Sequence, residues 1–223
     1  MPCNASDFQQ QRLDMVAHQL ERRGLLDKNV LAAMRKVPRH CFVPGSLQDA
    51  AYEDRPLPIG HGQTISQPYM VGLMTSLVQP DPEGAILEVG TGSGYQAAVL
   101  AELSRSVFTI EIVEILGRRA EAILTKRYNN VHVRIGDGYR GWPEEAPFDR
   151  IIVTAAAGTV PPPLVGQLAS PGRMVIPVGP RGWQDLLLIT KDAAGKLAER
   201  VIEKVAFVEL VGAYGWHQAK DNS

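Results

Sequence analysis

The sequence contains only two cysteines, Cys3 and Cys41, among 223 residues. Two cysteines exclude a disulfide framework and a cysteine-rich zinc site, and the five histidines show neither H-x-x-x-H nor H-E-x-x-H spacing. We therefore expect reduced thiols, no metal site and a cytoplasmic location.

Long hydrophobic runs are also missing. The most apolar stretch, 151–165, is interrupted by Gly158 and by three prolines before it reaches the roughly 18 to 20 residues that cross a membrane. The first residues show no basic stretch followed by an apolar one, so a secretory signal is not expected. The sequence predicts no membrane association.

Neither sign of charge is in excess, because 23 Lys and Arg face 24 Asp and Glu, giving a formal net charge of −1. A protein that neutralises several phosphates normally has a basic excess, so nucleic acid is an unexpected partner. We expect a globular monomer. One small basic cluster, Arg35, Lys36, Arg39 and His40, is interpreted as a solvated helix end, and contact with RNA or an acidic protein is the alternative.

The first third of the chain is predicted to be helical, with one long loop. A first helix is capped by Ser6 or Asp7 and ends at Gly24, and a second begins after Asp27 and ends before Pro38. Glycine and proline then accumulate up to residue 67, which is typical of a functional loop. We interpret residues 1–80 as an N-terminal helical extension with a substrate loop, packed on a core of residues 81–223.

The rest of the chain alternates short apolar strands with helices. Strands are predicted at 85–89, 106–111, 131–135, 149–155, 173–178 and 185–190, and the segment 198–211 is expected to add an antiparallel strand. This alternation indicates an α/β fold with a doubly wound, mostly parallel, Rossmann-like sheet.

Glycines recur at every second position directly after the first core strand, at Gly90, Gly92 and Gly94. Their lack of side chains lets a ligand approach the backbone, and the next helix offers free N–H groups. A tight strand-to-helix turn without a ligand would explain the same glycines.

Acidic residues at the ends of the next two strands favour the ligand. Glu111 follows Glu88 by 23 residues, close to the offset at which a carboxylate accepts hydrogen bonds from a ribose. Asp137, between Gly136 and Gly138, could accept from an exocyclic amine such as that of adenine. The three strand ends together predict a bound adenosine.

The glycine spacing also discriminates between adenosine compounds. A dinucleotide site has the spacing G-x-G-x-x-G, whereas here Tyr95 follows a third glycine that comes one residue early. Glu88, two residues before the first glycine, would face positive charge. S-adenosylmethionine, which carries a sulfonium, is therefore preferred, with NAD as the alternative.

Several longer strings resemble the protein-L-isoaspartate O-methyltransferases, a family of class I S-adenosylmethionine-dependent methyltransferases. They are VPRHCFV, AYEDRPLPIGHGQTISQPYM, LEVGTGSGYQAAVLA, GDGYRGW, FDRIIVTAAAGTVP and MVIPVG, between Val37 and Gly179. PIGHGQTISQP is the most specific of these. The resemblance implies methyl transfer from S-adenosylmethionine to the free α-carboxylate of L-isoaspartyl residues in damaged proteins and peptides, leaving S-adenosylhomocysteine and initiating repair through a succinimide.

The strand ends provide the cofactor-binding candidates and the loop provides the substrate-binding candidates, while the resemblance implies a catalytic role for Ser66. Ser66, in the T-I-S motif, is the catalytic candidate. The cofactor-binding candidates are Glu88, Gly90, Thr91, Gly92, Gly94, Glu111, Asp137 and Gly138. The substrate-binding candidates are Ile59, Gly60, Gly62, Gln63, Thr64, Ile65 and Ser66. Tyr69 and Val71 replace histidines of the animal enzymes, so the chain looks like a bacterial-type member.

Ser66 also has a structural interpretation as the N-cap of a helix that runs to about Val78, accepting from the Tyr69 N–H. The two roles are compatible, because a capping hydroxyl keeps its hydrogen for a substrate. His61 is interpreted as a loop residue rather than a base. The alternative functions are a non-catalytic adenosyl-binding module and a methyltransferase acting on a small acid or RNA.

Overall fold

The computed structural model describes residues 8–212. Within them the strands are β1 (Leu57–Gly60), β2 (Gln63–Ile65), β3 (Ala85–Val89), β4 (Ser106–Glu111), β5 (Val131–Ile135), β6 (Phe148–Val153), β7 (Leu168–Val178), β8 (Gln184–Lys191) and β9 (Leu197–Val205). The α-helices are α1 (Gln9–Met15), α2 (Lys28–Lys36), α3 (Pro68–Val78), α4 (Tyr95–Ala101), α5 (Glu114–Leu124) and α6 (Pro162–Gln167).

Seven strands form the central sheet in the order β5-β4-β3-β6-β7-β8-β9. The pairs from β5 to β7 are parallel, and β8 and β9 are antiparallel. The predicted mostly parallel α/β fold is therefore confirmed, as is the antiparallel strand at its end. β3 has β4 on one side and β6 on the other, so the strand order reverses there, and ligands bind at the carboxyl edge of such a reversal.

Both faces of the sheet are covered, which explains the apolar runs in its strands. Along β3, Ile86 belongs to the larger core cluster, while Leu87 and Val89 belong to a second cluster on the opposite face. Side chains alternate between faces along a strand, so Glu88 shares the face of Ile86. The N-terminal segment joins the larger cluster through buried residues such as Met15 and Met34.

Two of the predicted helix boundaries are confirmed. α1 continues through a π-helical turn (Val16–Leu20) and a 3₁₀ turn (Glu21–Arg23) to Gly24, which has a φ of 86°. The Asp27 side chain caps α2 by accepting from the backbone N–H groups of residues 29 and 30. The other predicted caps, Ser6 and Asp7, lie outside the described residues. No helix in the described part of the chain is long and apolar enough to cross a membrane.

The interpretation of the basic cluster as a solvated helix end is wrong for two of its residues. Arg39 is 0% and His40 1% exposed. Arg39 Nε donates to the Ala51 carbonyl at 2.7 Å, and His40 Nδ1 lies 2.8 Å from the Tyr52 hydroxyl. The segment after α2 turns inward, and local charge density could not reveal this turn.

The expectation of reduced thiols is wrong for Cys41, which is disulfide-bonded. The other cysteine of the chain, Cys3, lies outside the described residues.

Candidate active site

The glycine loop between β3 and α4 forms the floor of a cavity at the carboxyl edge of the sheet. Gly90, Gly92 and Gly94 all have positive φ angles, of 99°, 51° and 86°. A Cβ on Gly90 would lie 2.4 Å from Thr154 Oγ1, at the end of β6. The alternating glycines are therefore required by backbone conformation, and one of them also by close packing.

Glu111, at the end of β4, holds the loop from the neighbouring strand. Its carboxylate accepts from the Gly92 N–H at 2.7 Å and from the Val113 N–H at 2.9 Å, and the residue is 5% exposed. The structure brings Glu111, Gly90, Gly92 and Gly138 together, as predicted. The cavity is lined by Gln63, Thr64, Val89, Gly90, Gly92, Ile110, Glu111, Ile112, Gly138, Thr154, Ala155, Val208, Glu209, Leu210 and Val211.

Glu88 lies away from this cavity. It is 0% exposed, and its Oε2 is 2.5 Å from the hydroxyl of Thr109. Burial raises the pKa of Glu88 to about 8; the hydrogen bond from Thr109 opposes this shift and the charge of Glu111 adds to it. The predicted position of Glu88 facing a ligand is not observed, because alternation along β3 turns its side chain to the face opposite Val89.

Asp137 caps a short 3₁₀ turn (Gly138–Arg140) by accepting from the Tyr139 N–H at 3.0 Å. Gly138 lines the cavity, and Asp137 lies directly beside it. The chain returns here after β9, because a Cβ on Gly212 would lie 2.3 Å from Asp137 Oδ1.

The segment after β9 forms one wall of the cavity, a contribution that the sequence did not reveal. The Ala156 N–H donates to the Val208 carbonyl at 2.7 Å, and the Leu210 N–H donates to the Ala156 carbonyl at 2.8 Å. Glu209 lines the cavity and forms an ion pair with Arg181, in the turn between β7 and β8. The aromatic residues after Gly212 lie outside the described residues.

A second, larger cleft of about 620 Å³ adjoins the first. It is lined by Arg23, Pro56, Thr64, Ser66, Gln67, Tyr69, Met70, Thr154, Glu203, Lys204, Val205, Ala206, Phe207 and Val208. Thr64, Thr154 and Val208 line both spaces. A third, small cavity shares Thr64 and Thr154 with both spaces. Its other lining residues include Ile65, Ser66, Gly90, Thr91, Gly92 and Ser93.

The predicted substrate loop is an antiparallel hairpin of β1 and β2. Its turn consists of Gly60, His61 and Gly62, which all have positive φ. Ile59 packs inward, and an ideal Cβ on Gly92 would lie 3.5 Å from its Cδ1. Gln63 and Thr64 of β2 reach the cavity of the glycine loop, so the hairpin contacts both spaces.

Ser66 is not the N-cap of α3, so this structural interpretation is wrong. The N-cap is Gln67, and the Tyr69 N–H donates to Asp54 Oδ1 at 3.3 Å. Asp54 also pairs with Arg23 at 2.8 Å, and the Arg23 guanidinium lies 3.3 Å from the Tyr69 ring centroid. Asp54 is distant in sequence from the helix that it supports. Among residues 8–212, Ser66 makes no side-chain hydrogen bond, so its hydroxyl is available in the cleft.

Comparison with known proteins identifies the family. The sequence profile of the protein-L-isoaspartate(D-aspartate) O-methyltransferases matches residues 10–215. Protein-L-isoaspartate O-methyltransferase 2 of Polaromonas sp. (strain JS666) is 59% identical over 189 residues, covering 84% of this chain and 90% of the relative. The protein-L-isoaspartate O-methyltransferase of Methanoculleus marisnigri is 48% identical over 213 residues, covering 95% and 96% of the two chains.

Solved structures agree with the sequence relatives. The Plasmodium falciparum protein-L-isoaspartate O-methyltransferase, in complex with S-adenosyl-L-homocysteine, superposes with a TM-score of 0.77 at 28% identity, covering 90% of this chain and 98% of that one. Another protein-L-isoaspartate O-methyltransferase gives a TM-score of 0.82 at 26% identity, covering 93% and 67%. The chain is therefore a member of the protein-L-isoaspartate(D-aspartate) O-methyltransferase family, with a class I methyltransferase fold.

Proposed function

We propose that the protein transfers the methyl group of S-adenosylmethionine to the free α-carboxylate of L-isoaspartyl residues in damaged proteins and peptides. The observation that carries this proposal is that the glycine-floored cavity and the wider cleft adjoin each other. A glycine-floored cavity with a carboxylate meets a wider cleft at Thr64 and Thr154, and Ser66 lies in the cleft beside them. Such a junction suits a small donor and a polypeptide acceptor.

The residues of the first space fit an adenosyl cofactor. Side chains on Gly90 and Gly138 would clash at 2.4 Å with Thr154 and Val89, so the floor stays bare backbone. The Glu111 carboxylate uses two lone pairs to accept from the N–H groups of Gly92 and Val113. Its remaining lone pairs can accept from two ribose hydroxyls. Gly92, Thr91 and Gly94 shape the turn, and Asp137 is assigned to the adenine amine.

S-adenosylmethionine, when bound, supplies an electrophilic methyl group on a sulfonium. The acceptor carboxylate is already ionised at neutral pH, so the protein needs no general base. This agrees with the exposed position of His61 at the hairpin tip. The task left to the protein is alignment of acceptor and donor, which supplies several kcal/mol, up to about 7 to 11 in the best intramolecular cases.

Ser66 is assigned to the acceptor. Its hydroxyl can donate to the isoaspartyl carboxylate and hold one oxygen in place for attack. The hairpin residues Ile59, Gly60, Gly62, Gln63, Thr64 and Ile65 would enclose the peptide. β6 is followed by Thr154, which lines the wider cleft in which we place the peptide.

We further propose that the methyl ester starts repair. The next backbone nitrogen attacks the ester carbonyl, methanol leaves, and a succinimide forms. We assign this activity to a cytoplasmic monomer acting on isoaspartyl proteins rather than on nucleic acid. Since disulfides are rare in the cytosol, the redox state of Cys41 in intact cells, measured by thiol alkylation, tests the location.

The decisive experiment uses labelled S-adenosylmethionine and two synthetic peptides that differ only in an aspartyl or an L-isoaspartyl linkage. We expect label in the isoaspartyl peptide alone, released as methanol by mild base because the product is an ester. Equal labelling of both peptides would contradict the proposal. Cofactor binding without labelling of either peptide would indicate a non-catalytic module, and base-stable label in RNA would indicate an RNA methyltransferase.

A further inference from the structure

A buried chain of three side-chain oxygens runs from β3 to the glycine loop. Glu88 Oε2 lies 2.5 Å from Thr109 Oγ1, which lies 2.6 Å from Thr91 Oγ1. Glu88 and Thr109 are 0% exposed and Thr91 is 3% exposed. The other carboxyl oxygen of Glu88, Oε1, has no hydrogen-bond partner among the described residues. The series of hydrogen bonds therefore begins at a carboxyl group that is shielded from solvent and ends at Thr91 in the glycine loop.

The protonation state of Glu88 determines the direction of the hydrogen bonds, because each hydroxyl has a single hydrogen. If Glu88 is ionised, Thr109 donates to it and Thr91 must donate to Thr109, which consumes the Thr91 hydrogen. If Glu88 carries a proton on Oε2, it donates to Thr109, and Thr109 donates to Thr91. The hydrogen of Thr91 then remains available for another acceptor.

Thr91 lines the small cavity that also contains Thr64, Ser66 and Gly92. An available hydroxyl hydrogen on a residue that lines this cavity would be a donor to a group bound there. The methionine part of S-adenosylmethionine ends in a carboxylate, and an anionic oxygen is the acceptor that such a donor favours.

We propose that Glu88 is a positioning residue that keeps a proton and, through Thr109, orients the hydroxyl of Thr91 as a donor to the carboxylate of the bound cofactor. Glu88 touches neither the cofactor nor the peptide in this arrangement. The proposal rests on the cofactor site of the proposed function, but it does not depend on which acceptor is methylated.

The surroundings of Glu88 favour the protonated form. Burial raises its pKa to about 8, and within residues 8–212 the like charge of Glu111 adds to this shift. Tyr95, from the helix on the same face of the sheet, stays neutral because burial raises its pKa well above the usual value. Arg39, a buried cation on that side, has its guanidinium 4.9 Å from the ring centroid of Tyr95.

Calorimetric titration of the peptide-free protein with S-adenosylmethionine tests this arrangement. At pH 7, Glu88→Leu should weaken binding about tenfold, and Glu88→Gln, whose amide can donate to Thr109, should restore affinity to within about threefold of wild type. Thr109→Val should weaken binding about tenfold and Thr109→Ser should not. Melting temperatures identify variants that fail to fold. If Glu88→Leu or Thr109→Val does not fold, the affinities of Glu88→Gln and Thr109→Ser still test the proposal.

The pH profile separates this role from a purely structural one. With a pKa of about 8, the protonated fraction falls from roughly nine-tenths at pH 7 to one-tenth at pH 9. If the ionised form binds about tenfold more weakly, the wild-type dissociation constant should rise about fivefold relative to that of Glu88→Gln. A carboxyl infrared band of protonated Glu88, absent in Glu88→Gln, should disappear over the same range. Parallel pH profiles, or a loss of more than tenfold in Glu88→Gln at pH 7, would overturn the proposal. Failure of the peptide-labelling experiment would leave these binding measurements unaffected.

Discussion

The hydroxyl of Thr154 donates to the carbonyl oxygen of Gly90 at 2.7 Å. This contact joins the end of β6 to the first glycine of the loop, and the Thr154 N–H adds a second link to the Val89 carbonyl at 2.9 Å. Because Thr154 lines both the glycine-floored cavity and the wider cleft, the spacing of these two spaces depends on this pair of residues.

Gly90→Ala should disrupt this link. The new methyl group would lie 2.4 Å from Thr154 Oγ1, and the φ of 99° adds strain on the order of 1 to 2 kcal/mol. We expect a lower melting temperature and at least tenfold weaker binding of S-adenosylmethionine by calorimetry. Gly45→Ala is the control, because nothing lies within 4 Å of its added Cβ. Equal behaviour of the two variants would refute the packing argument.

Glu111→Ala should weaken cofactor binding while leaving peptide affinity nearly unchanged. Loss of a charged acceptor for the ribose hydroxyls costs about 1.5 to 3 kcal/mol, and the loop also loses the bond to the Gly92 N–H. Glu114→Ala removes a nearby exposed carboxylate that pairs with Arg118 at the surface, so it is a matched control. An unaltered dissociation constant in Glu111→Ala would show that the ribose assignment is wrong.

The fold could be predicted from the sequence because its signals are local. The apolar run of β3, the three glycines after it and Glu111 at the end of β4 lie within one strand-turn-helix-strand unit. Consecutive strands usually lie side by side in a sheet, so β4 is expected beside β3. Gly92 and Glu111, which follow or end these two strands, therefore meet without contacts from distant parts of the chain.

The unpredicted features depend on contacts between distant segments. The wall that Val208 and Leu210 form comes from residues about 120 positions after the glycine loop. The burial of Arg39 and His40 depends on the segment that contains Ala51 and Tyr52, which folds over them. The orientation of Glu88 was missed because apolar neighbours on both sides concealed the alternation of a strand that is buried on both faces.

Asp54→Ala should destabilise the start of α3. This carboxylate accepts from the Tyr69 N–H and pairs with Arg23, so its removal should cost about 1 kcal/mol, as for loss of a helix cap. Glu53→Ala is the neighbouring control, since Glu53 pairs with Arg55 at the surface. Urea denaturation measures both variants. A larger loss in Glu53→Ala would contradict the capping role of Asp54.

Stability should also depend on pH through Glu88. Its folded pKa of about 8 exceeds the ordinary value of 4.5, so its contribution is complete below about pH 4.5 and is lost as the pH rises through about 8. The melting temperature of wild type relative to Glu88→Gln should therefore fall between pH 5 and pH 8.5. Glu83→Gln, in the exposed turn before β3, should show no such trend. A constant difference between wild type and Glu88→Gln would mean that Glu88 is already ionised.

Ser66→Ala should reduce turnover far more than stability. Since Gln67 rather than Ser66 is the N-cap of α3, loss of the hydroxyl should cost only a few tenths of a kcal/mol, the scale of an uncapped surface position. If the hydroxyl holds the attacking carboxylate, kcat on an isoaspartyl peptide should fall about tenfold to a hundredfold, the effect of one hydrogen bond that is strongest in the transition state. Affinity for S-adenosylmethionine should stay near wild type, and Ser46→Ala, at an exposed position, should leave both quantities unchanged. Wild-type turnover in folded Ser66→Ala would remove Ser66 from the reaction and leave alignment of the acceptor to the hairpin, where Thr64 contacts both spaces.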